Sequence, residues 1–236
     1  SAASDVYKRQ VAFSSPARVP GLLPTVAWAE PAPDGRIGTV CRALDGGVFA
    51  AGALLDWLAR DMGLAADAPA LARIAASVPD SAGVLVLPAL AGLGAPWWQS
   101  QAHAVIAGLH AGARPSHVAR AALEAIAARV ADIVEAVAQT QPVHRVHLDG
   151  GLTNDELLVQ LQADALGAPV IVGTADRTVL GAALLAGVGC GAFADVGEAA
   201  ARLPEGRLVA PSAAGLERRD AQRARWREFV QASAAL

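Results

Sequence analysis

A layered α/β domain is the fold class this sequence predicts, and three observations carry it. From residue 84 onward, short apolar runs bounded by turn residues (Val84–Leu87, Val105–Ile106, His144–Leu148, Val170–Val172) alternate with stretches of helical periodicity. The longest such stretch places Val118, Ala122, Ile126, Val130, Ile133, Val134 and Val137 at steps of three and four. Glycines punctuate the connections: DGG at 149–151 joins strand to helix without Cβ obstruction, and the glycine-rich loop LAGLGAPWW at 90–98 leads from one strand to the next. Such alternation predicts parallel strands whose carboxyl ends, and any ligand loops, share one edge. No period of 20–50 residues repeats, which argues against a solenoid.

Taken in order, the chain opens with a predicted meander: Thr25–Ala29, Ile37–Ala43 and Val48–Phe49, separated by Pro-Ala-Pro-Asp-Gly at 31–35 and Asp45-Gly46-Gly47. Ala50–Met62 takes helical spacing, with Leu54, Leu55, Leu58 and Met62 on one face, and Ala68–Ser77 forms a second short helix. Val84–Leu87 reads as a buried strand ending at Pro88. The long helix follows, with Ser116 as candidate N-cap and an Arg120–Glu124 pair one turn apart on another face. After the strand ending at Leu148, Thr153 and Glu156 form a candidate capping box for a helix from about Asp155 to Leu166, which Gly167 and Pro169 terminate. A strand at Val170–Val172, a helix through Leu180–Ala186, a strand at Arg207–Val209 and an Arg-rich helix from about Leu216 complete the chain.

Composition narrows the class of function. With 54% hydrophobic and 17% charged residues and a net charge of −3, the 236-residue chain is neither disordered nor an obvious nucleic-acid binder. Cys41 and Cys190 flank no Cys/His cluster, so neither a disulfide framework nor a zinc site is expected, and a reducing cytoplasm suits them. Residues 81–113 lack Asp, Glu, Lys and Arg, but Pro88, Gly92, Gly94, Pro96 and Gln99-Ser100-Gln101 break the stretch before it could span a bilayer. Residues 178–194, also uncharged, read as a buried helix and loop. Residues 1–10 hold the only Lys and the only Tyr, whereas later residues use Arg alone; this break predicts a leader segment of non-native origin, with the domain running over 11–236. The only Met is Met62, and the chain reads as a fragment of a longer protein.

Chemistry concentrates at HLDGGLTNDELL (147–158), where a strand, a sharp glycine turn and a helix start follow one another. Backbone N–H groups at such a place can approach a nucleotide, and the same pattern also serves as a plain strand-to-helix connection. His103, His110 and His117 recur every seven residues, but loops separate them, so surface and turn roles are expected and no metal ligand is assigned. Trp97 and Trp98 are expected to pack their loop, with cover over a ligand as the alternative. In ERRDAQRARWREFVQ (217–231), acidic residues interrupt the basic charge, which favours a helix docked by Trp226, Phe229 and Val230 over an RNA-contacting one. GLG at 92–94 lacks the later glycine of a dinucleotide fingerprint.

Four strings occur in an order that resembles the C-terminal half of the FGGY carbohydrate kinases: PALAGLGAPWW (88–98), AVIAGLHAGARPSHVARAALE (104–124), HLDGGLTNDELLVQLQADALGAPV (147–170) and DRTVLGAALLAG (176–187). GLGAP followed by an aromatic pair looks most like the glycerol kinase branch. The resemblance implies an actin-like ATPase, ribonuclease H-like fold, of which this chain is the C-terminal, nucleotide-side lobe. It implies ATP and Mg²⁺ as cofactors, a polyol or sugar as substrate, and an N-terminal kinase domain as partner, while leaving a homo-oligomer open and requiring neither nucleic acid nor membrane.

The same resemblance assigns nucleotide contacts to Gly52 and Asp56 in VFAAGALLDWL (48–58), and to Gly150, Gly151 and Asp155 at the DGG turn. Asp56 stands where the family has Gln, and Asp155 where it has Asn. An ionised carboxylate only accepts hydrogen bonds and repels nearby phosphate, although it suits ribose hydroxyls and a helix start. No Asp-x-Gly-Thr turn and no Gly-Thr-Gly occurs, and the family's catalytic Asp lies before the matched part, so no catalytic residue is assigned and the isolated chain is expected to be inactive. Two readings remain beside a glycerol kinase-like one: a non-catalytic binding or assembly module that keeps the fold, and a kinase of the same family for another sugar such as xylulose.

Overall fold

The structure, a computed structural model, describes residues 7–13, 18–31, 36–140, 142–173 and 177–233. Three strands open the chain, β1 (Tyr7–Phe13), β2 (Leu23–Pro31) and β3 (Ile37–Val48), forming an antiparallel sheet in the order β1-β3-β2. Residues 7–10, part of the segment set aside from the sequence, lie in β1 opposite Val48 to Asp45. The expected turn at Asp45-Gly46-Gly47 does not form; those residues continue β3, all three pairing with β1 and Asp45 also with β2. These glycines serve close packing instead. A Cβ on Gly46 would meet Leu22 at 2.9 Å and Ile133 at 3.1 Å, and one on Gly94 would strike the Gly47 carbonyl.

Helix α1 (Ala51–Asp56) passes directly into a π-helical turn at Trp57–Asp61. Wide hydrogen bonds, such as Met62 N–H to the Trp57 carbonyl at 2.9 Å, shift the register, so Leu54, Leu55 and Leu58 are buried while Met62 turns out to 48% exposure. The expected single apolar face therefore loses its last member. Helix α2 (Ala68–Ala76) starts as a capped helix should, with Asp67 accepting the Ala70 N–H at 2.7 Å.

β4 (Leu85–Leu87) pairs antiparallel with β5 (Val105–Ala107), and α3 (Pro115–Ala138) runs behind them. Its N-cap is Arg114 rather than Ser116, because Pro115 occupies the first helical position and His117 Nδ1 accepts the Arg114 N–H at 3.1 Å. β6 (Val146–Leu148) leads through a 3₁₀ turn (Gly151–Asn154) into α4 (Glu156–Leu166), and β7 (Val170–Val172) lies parallel to β6. Helices α5 (Arg177–Gly189) and α6 (Val196–Ala200), strand β8 (Arg207–Val209) and helix α7 (Ala213–Ser233) follow. β8 pairs antiparallel with β7, so the expected parallel arrangement holds for β6–β7 and not for β4–β5 or β7–β8. The reason is connectivity: α4 supplies the crossover that β6 to β7 needs, whereas β4 returns to β5 through a loop and the chain comes back to β7 as β8 after α5 and α6.

The main core lies between α1, α2, β4, α3 and α7, with Leu54, Leu71, Leu87, Leu123, Ile126 and Val230 fully buried. Trp226, Phe229 and Val230 anchor α7 there, as the spacing predicts. A second cluster joins the meander to the end of α3 through Leu44, Val48, Ile133 and Val137, and a third packs α4 on β6 and β7. α5 departs from expectation. It is apolar all round, yet it carries no buried residue among those described, with Val179 at 64% and Leu185 at 44% exposure. Helix α6 packs against it, and much of its remaining surface stays exposed. No helix among the described residues is long and apolar enough to cross a membrane.

Candidate functional site

Two strand-to-helix corners carry the five candidate residues. At the first, β3 ends and Ala50 takes a left-handed conformation (φ 59°), which turns the chain into α1. Gly52 lies in the first turn of α1 and Asp56 at its end, both half-buried. The Asp56 carboxylate reaches the Arg60 guanidinium at 3.8 Å, and both side chains are at least half exposed. This pair offsets part of the negative charge that the sequence placed on the corner, without adding measurable stability.

At the second corner, Gly150 has φ 96° and ψ 172°, a conformation open to glycine alone, and the 3₁₀ turn begins at Gly151. A Cβ at either position would meet nothing within 4 Å, so the turn faces open space. Thr153 does not cap α4: its hydroxyl donates to the Gly150 carbonyl at 2.7 Å and holds the 3₁₀ turn shut. Asp155 caps the helix instead, its Oδ1 accepting from Leu157 N–H at 2.9 Å and Leu158 N–H at 3.2 Å. Oδ2 of the same carboxylate is buried and accepts no hydrogen bond from a described residue. The carboxylate is thereby explained as a helix cap with one oxygen to spare.

The corners share a foundation. Leu54 and Leu55 beneath the first and Leu152 and Leu157 beneath the second all pack into the main core. Gly150, Gly151 and Asp155 form one continuous turn, Gly52 and Asp56 one helix. Two partners were not legible in the sequence. Asp149 Oδ2 accepts the Arg177 N–H at 2.9 Å, tying the turn to the start of α5, and Arg177 Nη2 donates to the Pro204 carbonyl at 3.3 Å. Burial, then the charges of Arg177 and Arg145, push His147 below the ordinary imidazole range, so the strand leading to the turn carries a neutral ring at neutral pH.

The loop at 92–98 is fixed by a buried charge network that sequence reading missed entirely. Arg129, 1% exposed, donates to Asp132 Oδ2 at 2.9 Å and to the Gly94 and Ala95 carbonyls at 3.2 and 2.7 Å. Asp132 also accepts from Trp97 Nε1 at 3.0 Å, Trp226 Nε1 at 3.1 Å and Arg223 at 2.7 Å. Arg223 and Arg227 both donate to Glu135. Burial lowers the Arg129 pKa, and its single carboxylate partner only partly compensates. Arg223 is equally subject to burial, but it has Glu135 as well as Asp132, and its pKa rises. Trp97 thus packs its loop as expected, and Trp98, at 44% exposure, stands edge-on to Phe49 and donates to the Gly21 carbonyl at 2.6 Å. His110 and His117 hold turns, with His110 Nδ1 accepting from Gly112 N–H and His117 Nδ1 from Arg114 N–H.

The geometry leaves open glycine backbone at the DGG turn, which a nucleotide can approach closely. Residues 12–190 match the FGGY family of carbohydrate kinases, C-terminal domain. The chain is 42% identical over 213 residues to a glycerol kinase of Aromatoleum aromaticum, covering 89% of this chain and 42% of that protein. It is 46% identical over 174 residues to a glycerol kinase of Geobacter sp., covering 72% and 34%. Among solved structures, Plasmodium falciparum glycerol kinase with ADP superposes with a TM-score of 0.76 at 25% identity, over 90% of this chain and 42% of that one. Ligand-bound xylulose kinase from Lactobacillus acidophilus shares the fold, with a TM-score of 0.81 at 21% identity over 97% and 46%. The chain spans less than half the length of these relatives. It belongs to the FGGY family of carbohydrate kinases and has the actin-like, ribonuclease H-like fold of that family's C-terminal domain.

Proposed function

We propose that this chain is the nucleotide-side lobe of an ATP-dependent polyol kinase acting on glycerol. The observation that carries this reading is the Gly150–Asp155 corner, where glycine backbone faces open space at the start of a helix capped by Asp155. The level of identity to proteins named glycerol kinase favours glycerol over other sugars. In this reading Gly150 and Gly151 let the nucleotide approach the backbone, Asp155 fixes the start of α4 beside them, and Gly52 with Asp56 supplies a second contact. Asp56 and Asp155 belong on the adenosine side, since either carboxylate would repel a phosphate at short range.

ATP supplies the transferable phosphoryl group, and Mg²⁺ screens its charge when bound. This chain's own residues bind and orient, and the base that accepts the hydroxyl proton belongs to an N-terminal domain outside it. The exposed apolar residues of α5, Val179 and Leu185, fit a partner domain that would bury them. A cytoplasmic location and a domain start near Val11 complete the proposal.

Titration calorimetry with ADP tests the reading: a surviving half-site gives weak, saturable heat, and Gly150→Val removes it. Absence of any heat would favour the second reading, a non-catalytic module that keeps the fold, to which the two carboxylates in place of Gln and Asn lend support. Joined to the missing half, the chain is expected to yield glycerol-dependent ADP formation, while acceptance of xylulose alone would assign the other substrate.

A further inference from the structure

A cavity of about 120 Å³ lies between β4, α3, α4 and α7, away from both candidate corners. It exists because α3 turns only small side chains toward α7 at this level, Ala121, Ala125 and Ala128, so the helices cannot close on each other. Leu161, Val86 and Trp226 complete an apolar wall. Gly215 opens the α7 end, where any Cβ would strike Asp164.

Its rim carries five arginines, Arg120, Arg218, Arg219, Arg223 and Arg225, against Asp80, Glu124 and Asp164. The carboxylates are all engaged. Glu124 takes Arg120 at 2.9 Å, Asp164 takes Gln160 Nε2 together with the Ser212 N–H and hydroxyl, and Asp80 takes the Ala82 N–H. Arg223 is spent on Asp132 and Glu135, and Arg225 donates to the Gly83 carbonyl at 2.6 Å. Two cations on adjacent positions of α7 are left. Arg218 uses only Nε, on the Ala214 carbonyl, and Arg219 meets the exposed Asp220 at 3.4 Å while its Nε is buried without a hydrogen-bond acceptor among the described residues.

We propose that this cavity is a binding site for a small organic carboxylate with a compact apolar body, the carboxylate on Arg218 and Arg219 and the body against the α3 alanines and Trp226. Guanidinium groups pair with carboxylates through charge-assisted hydrogen bonds, and the surplus of uncommitted cations selects an anion over a neutral or cationic ligand. Size sets the class. An apolar cavity of about 150 Å³ admits benzene, so one ring or a short branched chain fits, and a nucleotide does not. The proposal stands independently of the kinase reading.

Benzoate is the probe, titrated into the ¹⁵N-labelled chain and followed by two-dimensional NMR, with benzylammonium as the charge-reversed control. Benzoate is expected to shift the Ala125 and Ala128 amides and the Trp226 indole saturably at one site, and benzylammonium is not. Arg218→Ala with Arg219→Ala should weaken benzoate at least tenfold, and Ala125→Leu should remove binding by filling the space. If Ala125→Leu does not fold, the arginine variants, which lie outside the core, decide the matter alone. Undiminished benzoate affinity in the double arginine variant, equal affinity for benzylammonium, or shifts confined to another part of the surface would each overturn the proposal.

Discussion

Asp132→Ala should destabilise this chain strongly, and the structure supplies the size of the effect. The Asp132 side chain is 4% exposed and accepts from two guanidinium groups and two indole N–H groups. Removing it leaves Arg223 with Glu135, but leaves Arg129 as a buried cation whose only partners are the Gly94 and Ala95 carbonyls. Breaking a buried ion pair from one side costs about 3–5 kcal/mol, and stranding the two indole donors adds about 1 kcal/mol or more. The expected loss is therefore about 4–6 kcal/mol, a shift in Tm on the order of 10–20 °C for a chain of this length. Urea unfolding followed by tryptophan fluorescence reads it directly, because Trp97 and Trp226 report from inside the network. Asp132→Asn, which keeps the shape and loses the charge, should fall between wild type and Asp132→Ala. Replacing the pair together, Arg129→Met with Asp132→Leu, should cost less than Asp132→Ala alone, since no unpaired Arg129 cation remains. A loss below about 1 kcal/mol for Asp132→Ala would refute the idea that this carboxylate organises the loop.

Three further outcomes are expected. Arg223 and Arg227 outweigh the effect of burial on Glu135 and hold it below its ordinary value of 4.5. Its stabilising contribution is then complete above that value and lost as pH falls through the lower, folded-state value, so an acid titration of Glu135→Gln should show a shallower loss of stability below pH 4.5 than wild type. Gly94→Ala drives a methyl group into the Gly47 carbonyl and to 3.3 Å from the Phe49 ring; a loss of about 1–3 kcal/mol in chemical unfolding is expected. Asp155→Ala removes the cap of α4 and should cost about 0.5–2 kcal/mol in chemical unfolding, whereas Asp155→Asn, whose amide oxygen can still accept, should cost less.

Legibility followed the range of the interactions involved. Strands at Val105, Val146, Val170 and Arg207, the α3 stripe, the Arg120–Glu124 pair and the α7 anchors were all readable, because each follows from neighbours within a few positions. So was the DGG corner. Its cap was misplaced from Thr153 to Asp155 because a 3₁₀ turn inserted itself between strand and helix, a choice that depends on one side-chain hydrogen bond. Met62 left its predicted face through a π turn that apolar spacing does not announce.

Sequence alone was enough to determine an α/β lobe, the corners at Gly52 and Gly150, and the family, since periodicity, turn chemistry and ordered motifs are properties of short stretches. Only the tertiary structure decided that Gly46 and Gly47 lie inside a strand, that α5 keeps exposed apolar residues, and that Arg129, Asp132 and Arg223 meet in the interior. The last outcome rests on contacts between residues 34 to 94 positions apart, such as Arg129 with Ala95 or Trp226 with Asp132. A buried charge looks like a surface charge until the chain that surrounds it has folded.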